Sequence, residues 1–182
     1  MVFGVYKLVM ERFQNKYRVE STRLKEWDYS NPWWYYVTIN TKEHKEYFGR
    51  VENEIMVLNE IGKTADIYWK QIPIHFANVE LDYFVVMPNH IHGIVIINTL
   101  VETGHAPSLR NKPTLSNIIG SFKSAVAKRV HELGYSNFSW QTRFFDRIIR
   151  DERELYNVRK YIEQNPLKWG LEKECSENIF EL

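Results

Sequence analysis

The sequence has almost no cysteine, no long apolar run and almost no net charge. Its one cysteine, Cys175, excludes an internal disulfide framework and any cysteine-rich metal site. The most apolar stretch, residues 83–97, is interrupted by Pro88, Asn89, His90 and His92, and is too short and too polar to span a bilayer. The first ten residues lack a basic start followed by an apolar run, so no targeting segment is read and a cytoplasmic protein is expected. With 24 basic side chains against 23 acidic ones, bulk charge announces no polyanion partner. Internal repeats and low-complexity tracts are missing too. What remains is a 182-residue chain, 44% hydrophobic and 26% charged, which suits one folded domain rather than extensive disorder. Aromatics reach 15%, ample for a core and for stacking on flat ligands.

Residues 1–32 read as a polar arm closing in the turn-rich Asp28-Tyr29-Ser30-Asn31-Pro32, residues 33–171 as the main domain, and residues 172–182 as an acidic tail. The aromatic and β-branched run at 33–39 predicts a strand. Leu58, Ile61, Ala65, Tyr68, Trp69 and Ile72 recur at steps of three and four, which predicts one amphipathic helix before Pro73. Two more strands, 78–86 and 91–97, flank the Met87-Pro88-Asn89 break as an antiparallel pair. After a loop at 99–113, Thr114 caps a predicted helix reaching about Leu133. A fourth strand at 144–149 leads into a last helix, 152–164, stopped by Asn165-Pro166. The order β-α-β-β-α-β is that of the ferredoxin-like split β-α-β fold: α+β, with an antiparallel sheet, helices on one face, and a further C-terminal helix.

The chemistry centres on His90-Ile91-His92. Alternation along a strand puts both imidazoles on one face and turns Ile91 into the core. Such a pair alone is more often an ordinary sheet-surface or turn pair. Here the flanking strands are strongly apolar, and burying two imidazoles needs a satisfying partner such as a divalent cation. Two histidines do not complete a metal site, so a third donor is sought on the last helix. There Leu155, Val158 and Ile162 form the stripe that packs on the sheet, with Tyr161 and Asn165 at its edge, four residues apart. Arg150, Glu154 and Asn157 project from the same side, whereas Tyr156 points about 140° from Tyr161. Asn165 offers an amide oxygen one turn beyond Tyr161. A set of two imidazoles and an amide with open positions suits Mg²⁺ or Mn²⁺ and tolerates Zn²⁺. The alternative for Tyr161 is a half-buried helix aromatic, and for Asn165 a helix cap before Pro166.

Three runs occur in order: Met-Pro-Asn-His-Ile-His-Gly at 87–93, Trp140-Gln141 ahead of Phe-Phe-Asp-Arg-Ile-Ile-Arg-Asp at 144–151, and Tyr-Ile-Glu-Gln-Asn-Pro at 161–166. With them the chain resembles the single-tyrosine HUH transposases, in particular the REP-associated tyrosine transposase branch. Ser21-Thr22-Arg23-Leu24 and Asp28-Tyr29 in the arm fit that branch, and the likeness runs over roughly residues 20–171. The resemblance implies that His90 and His92 are metal ligands and that Tyr161 attacks a phosphodiester of single-stranded DNA. A 5′-phosphotyrosine link and a free 3′-hydroxyl would result. It also implies hairpin or repeat DNA as partner. Asn165 stands where simple insertion-sequence relatives carry glutamine. The oligomeric state is open between a homodimer and a monomer.

Local charge fits a polyanion better than the total does. Residues 103–131 hold Arg110, Lys112, Lys123, Lys128 and Arg129 with no acid, and residues 143–160 add Arg143, Arg147, Arg150, Arg153, Arg159 and Lys160 against four acids. Lys123, Lys128, Arg129, Arg143, Arg147 and Arg150 are therefore the candidate DNA-binding residues. Trp33, Trp34, Tyr35, Tyr36 and Trp140 could stack bases, although alternation puts most of them in the core. Two other readings stay open: a hairpin-binding module without efficient chemistry, and a metal-dependent phosphoesterase in which water attacks.

Overall fold

The structure, a computed structural model, describes residues 26–99 and 112–171, together with a short ladder of β1 (Arg12–Phe13) and β2 (Lys16–Tyr17). The expectations on Ser21 to Leu24, on Arg110 and on the tail with Cys175 lie outside the described residues.

The central sheet has four strands: β3 (Trp33–Asn40), β6 (Val79–Val86), β7 (His90–Ile97) and β8 (Phe145–Ile148). Their spatial order is β6-β7-β3-β8 and every pairing is antiparallel. Numbering these four strands in chain order gives 2-3-1-4, the split β-α-β arrangement expected from the sequence. The Met87-Pro88-Asn89 break is the turn of the β6–β7 hairpin, closed by a bond from Met87 N–H to the His90 carbonyl at 2.8 Å. β7 has strands on both sides and layers on both faces, which explains its burial from Ile91 to Ile97.

One face of the sheet carries α1 (Glu60–Lys70) and α3 (Leu115–Glu132). Tyr35, Val37, Ile39, Ile91, Val95 and Ile97 meet Ile61, Ala65, Trp69, Ile118, Ile119, Phe122 and Val126 in the main core. Both helices are capped as their sequences dictate. Asn59 accepts from Gly62 N–H at 2.9 Å, and Thr114 with Asn117 forms a reciprocal capping box. The opposite face carries α4 (Glu152–Glu163), started by Asp151, whose carboxylate accepts from Glu154 N–H at 2.7 Å. Its stripe of Leu155, Val158 and Ile162 packs on Tyr36, Ile94, Ile96 and Ile149. Arg159 fastens the helix to β6 through Asp82 at 2.7 Å and lies over the rings of Tyr83 and Trp34. Among the described residues, no helix is long and apolar enough to cross a membrane.

Two sequence expectations are corrected. The amphipathic helix begins at Glu60, not Leu58, which belongs to a hairpin of β4 (Gly49–Glu52) and β5 (Ile55–Leu58). Pro73 does not follow that helix directly but sits in the first turn of α2 (Ile72–His75). The last helix does end where expected, at Glu163 with Gln164 as its C-cap, but helical structure resumes at once. The chain turns at Gln164, and residues 165–171 are helical again, with Pro166 in the first turn, where its missing N–H leaves no bond unmade.

Gly93 follows the histidine pair and faces the α1–α3 layer, where a Cβ would come within 2.4 Å of the Trp69 ring. The strand passes so close to that indole that no side chain fits. Gly93→Ala is expected to lower stability by about 1–3 kcal/mol through overpacking, read as a drop in urea midpoint. Gly120→Ala, where the added carbon meets nothing within 4 Å, serves as the contrast.

Candidate functional site

The site lies on the α4 face of the sheet and is built from neighbouring strands. In the β3–β7 register Thr38 faces His92 and Asn40 faces His90, with Tyr36 two residues back on the same face. The His90 and His92 rings are 4.4 Å apart between centroids, and Ile91 between them is fully buried in the main core. The alternation expected from the sequence is therefore present.

Each imidazole is held through Nδ1. His90 Nδ1 lies 2.6 Å from Asn89 Oδ1, and the Asn89 amide is itself oriented by donating from Nδ2 to the His44 carbonyl at 3.0 Å. With the amide fixed that way round, His90 Nδ1 carries the proton and Nε2 keeps its lone pair. His92 Nδ1 sits between two hydroxyls, Tyr36 Oη at 2.7 Å and Thr38 Oγ1 at 2.9 Å, while Thr38 donates to Tyr36 at 3.2 Å. These two contacts fix the orientation of the His92 ring. Hydrogen-bonding partners that orient each imidazole from behind suit a metal site.

Burial keeps both rings uncharged. Desolvation lowers the His90 pKa to about 4, with contact to the Asn165 side chain acting in the opposite sense and nearby His44 adding slightly to the fall. Desolvation, then the neighbouring His90, lowers His92 to about 3. Tyr36 is pushed up to about 12 by burial, so its hydroxyl stays protonated. Two neutral imidazoles with oriented rings fit a divalent cation in their donor chemistry. Among the described residues, no group of three or more His, Cys, Asp or Glu side chains gathers around a common point, so a third protein donor would be the buried amide of Asn165.

Tyr161 completes the cluster from α4. Its ring is 5.2 Å from that of His92 and 6.4 Å from that of Tyr36, and it stays 40% exposed. Tyr156, on the same helix, is 64% exposed and lies outside this cluster. The structure thus brings together His90, His92, Tyr161 and Asn165. Beside Tyr161 opens a cleft of about 570 Å³ whose lining includes Phe145, Arg147, Arg150, Arg153 and Asn157.

The six basic candidates separate by position. Arg147 and Arg150 border this cleft, Arg147 in an ion pair with Glu154. Arg143 is exposed just ahead of β8. Lys123, Lys128 and Arg129 ride on α3, the layer on the other face of the sheet. Lys123 is tied to the carbonyls of Gln141 and Thr142 at 2.6 and 3.1 Å, and Arg129 pairs with Glu132 at 3.4 Å. Of the aromatic candidates, Tyr35 and Trp140 belong to the main core cluster, and Trp33 is 40% exposed.

The sequence reading missed several residues of this site. Asn89, Thr38 and Tyr36 orient the histidines, and from the helical segment 165–171 Trp169 meets His90 while Lys168 lies over Tyr161. Lys168 Nζ lies 4.9 Å from the Tyr161 ring centroid, and the Trp169 ring is 5.7 Å from His90. The signal for the last two was Pro166 as a helix-starting residue as well as a stop.

A solved REP-associated tyrosine transposase, bound to a REP hairpin, has a similar structure: TM-score 0.55, 19% sequence identity, covering 84% of this chain and 75% of that one. The chain therefore has the fold of a single-tyrosine transposase, and the motif resemblance holds at the level of the fold. By sequence it is 32% identical over 159 residues to an uncharacterised protein of Haemophilus influenzae, covering 82% of this chain and 88% of that protein. It belongs to the same family as that protein. No family model matches the sequence.

Proposed function

We propose that the protein is a transposase-type enzyme that cleaves and rejoins single-stranded DNA at hairpin or repeat sequences, with Tyr161 as covalent nucleophile. The observation that carries this reading is the half-exposed Tyr161 ring set 5.2 Å from His92 above two oriented, uncharged imidazoles. The solved relative bound to a REP hairpin supports the substrate class.

Tyr161 Oη attacks the phosphorus, the P–O3′ bond breaks, and the phosphoryl group stays on its 5′ oxygen as a phosphotyrosine diester. The phenol proton leaves and the departing 3′ oxygen takes one up, so charge and protons balance. A later 3′-hydroxyl reverses the step and restores Tyr161. An un-ionised phenol is a weak nucleophile, so stabilisation of the phosphoryl oxygens is needed as well. Mg²⁺ or Mn²⁺ held by His90, His92 and the Asn165 amide would supply that charge neutralisation. The donor set is neutral and would leave the charge of a bound cation undiminished. Asn89, Thr38 and Tyr36 hold the rings in place, and Arg147, Arg150 and Arg153 line the approach to Tyr161.

The test incubates labelled hairpin oligonucleotides, drawn from repeats flanking the gene, with protein and Mg²⁺ or Mn²⁺, then denatures the mixture. A metal-dependent protein–DNA adduct supports the reading. Cleavage without an adduct assigns water as nucleophile, and binding without cleavage assigns a hairpin-binding module.

The same reading predicts a large effect one residue before the pair. Asn89→Ala removes the acceptor that sets the His90 tautomer, and Mn²⁺ affinity should fall about 10–100-fold. Titration followed by the paramagnetic signal of free Mn²⁺ checks this, with the fold monitored by circular dichroism.

A further inference from the structure

We infer that Lys168 holds the phosphate attacked by Tyr161 and remains its counter-charge in the phosphotyrosine intermediate; this rests on the function proposed above. Asn165, Lys168 and Trp169 stand at i, i+3 and i+4 of the helical segment 165–171, the spacing of one helix face. All three meet the site: Asn165 and Trp169 against His90, Lys168 over the Tyr161 ring. This segment is a roof that bears chemistry.

The charge inventory under that roof gives Lys168 its role. A phosphodiester entering beside Tyr161 carries a full negative charge, and Lys168 is the cation that the 165–171 segment sets over the Tyr161 ring. Arg147, in the adjoining cleft, already pairs with Glu154. Lys168 is exposed, and among the described residues its ammonium forms no ion pair. Its position over the Tyr161 ring, 4.9 Å from the centroid, keeps a mobile cation beside the nucleophile without bonding it to another residue. A lysine stem is long and flexible, so the ammonium can swing from the ring face onto non-bridging oxygens as the O–P bond forms. A charge-assisted bond made there strengthens as negative charge builds in the transition state.

The test uses the full chain and two readouts. In a Tyr161→Phe background, affinity for the hairpin oligonucleotides is measured across a salt series with and without Lys168→Met. Loss of one phosphate contact should lower the slope of log affinity against log salt by about 0.7. With Tyr161 present, adduct formation at saturating DNA should slow at least tenfold in Lys168→Met and recover largely in Lys168→Arg. Lys63→Met, on the far helix layer, should move neither readout. An unchanged salt slope together with an unchanged adduct rate overturns the inference and leaves the covalent mechanism standing. A lowered slope in a protein that forms no adduct overturns the covalent mechanism instead and keeps Lys168 as a phosphate ligand. Because Lys168 is exposed, equal melting curves are expected for all variants.

Discussion

Tyr161→Phe should abolish the covalent protein–DNA adduct, a loss of at least a thousandfold, while Tyr156→Phe leaves it intact. The two tyrosines share a helix and a chemistry and differ in direction. Tyr161 is fixed beside His92 and Tyr36, whereas Tyr156 is 64% exposed, away from the imidazoles. The substitution removes one oxygen and leaves the ring that packs there, so hairpin affinity should change by no more than about threefold. A denaturing gel reads the adduct and a filter-binding curve reads the affinity. Should Tyr161→Phe still form the adduct, the nucleophile is another residue.

The second large effect concerns the histidines. His92→Ala should remove metal-dependent cleavage altogether and at the same time make the protein less sensitive to acid. The folded-state pKa values of His90 and His92 lie at about 4 and about 3, below the ordinary 6.5, because burial disfavours the charged rings. Between these values and 6.5 the unfolded chain binds more protons than the folded one, so stability is present above about pH 6.5 and falls as the pH drops toward 4 and 3. Each imidazole contributes a slope of about 1.4 kcal/mol per pH unit across its window. Removing His92 deletes one such slope. Urea unfolding at pH 7, 5.5 and 4.5, without metal, should show a smaller acid loss in His92→Ala than in the parent chain. Parallel stability curves would mean that His92 is not held neutral by the fold.

Much of this site was legible because it is periodic. The two-residue period put His90 and His92 together and Ile91 opposite, and the helical period separated Tyr161 from Tyr156. Strand order followed from the sequence of elements, and Thr114 and Asp151 marked helix starts through their capping side chains. What escaped was either non-local or locally ambiguous. Thr38 and Tyr36 reach His92 only through cross-strand register, separated by 54 and 56 residues along the chain. Asn89 reads as a turn residue until its amide is seen between His44 and His90. The β4–β5 hairpin turns through Asn53 and Glu54, both at positive φ, and Ile55-Met56-Val57-Leu58 shows no apolar–polar alternation because Ile55 and Val57 remain exposed. Pro166 follows the end of α4 and also opens the segment 165–171, and reading only the stop concealed Lys168 and Trp169.

Gly93 sits directly after His92 and points the opposite way, against Trp69. Two requirements of different kind are thus written into adjacent letters of one strand. Ile91 and Gly93 answer to the helix layer behind the sheet, whereas His90 and His92 answer to whatever approaches from in front. Changes at the first pair are selected through foldedness and changes at the second through chemistry. A descendant that loses both imidazoles can therefore keep the same shape and surface, and persist as a silent scaffold onto which another use can be written.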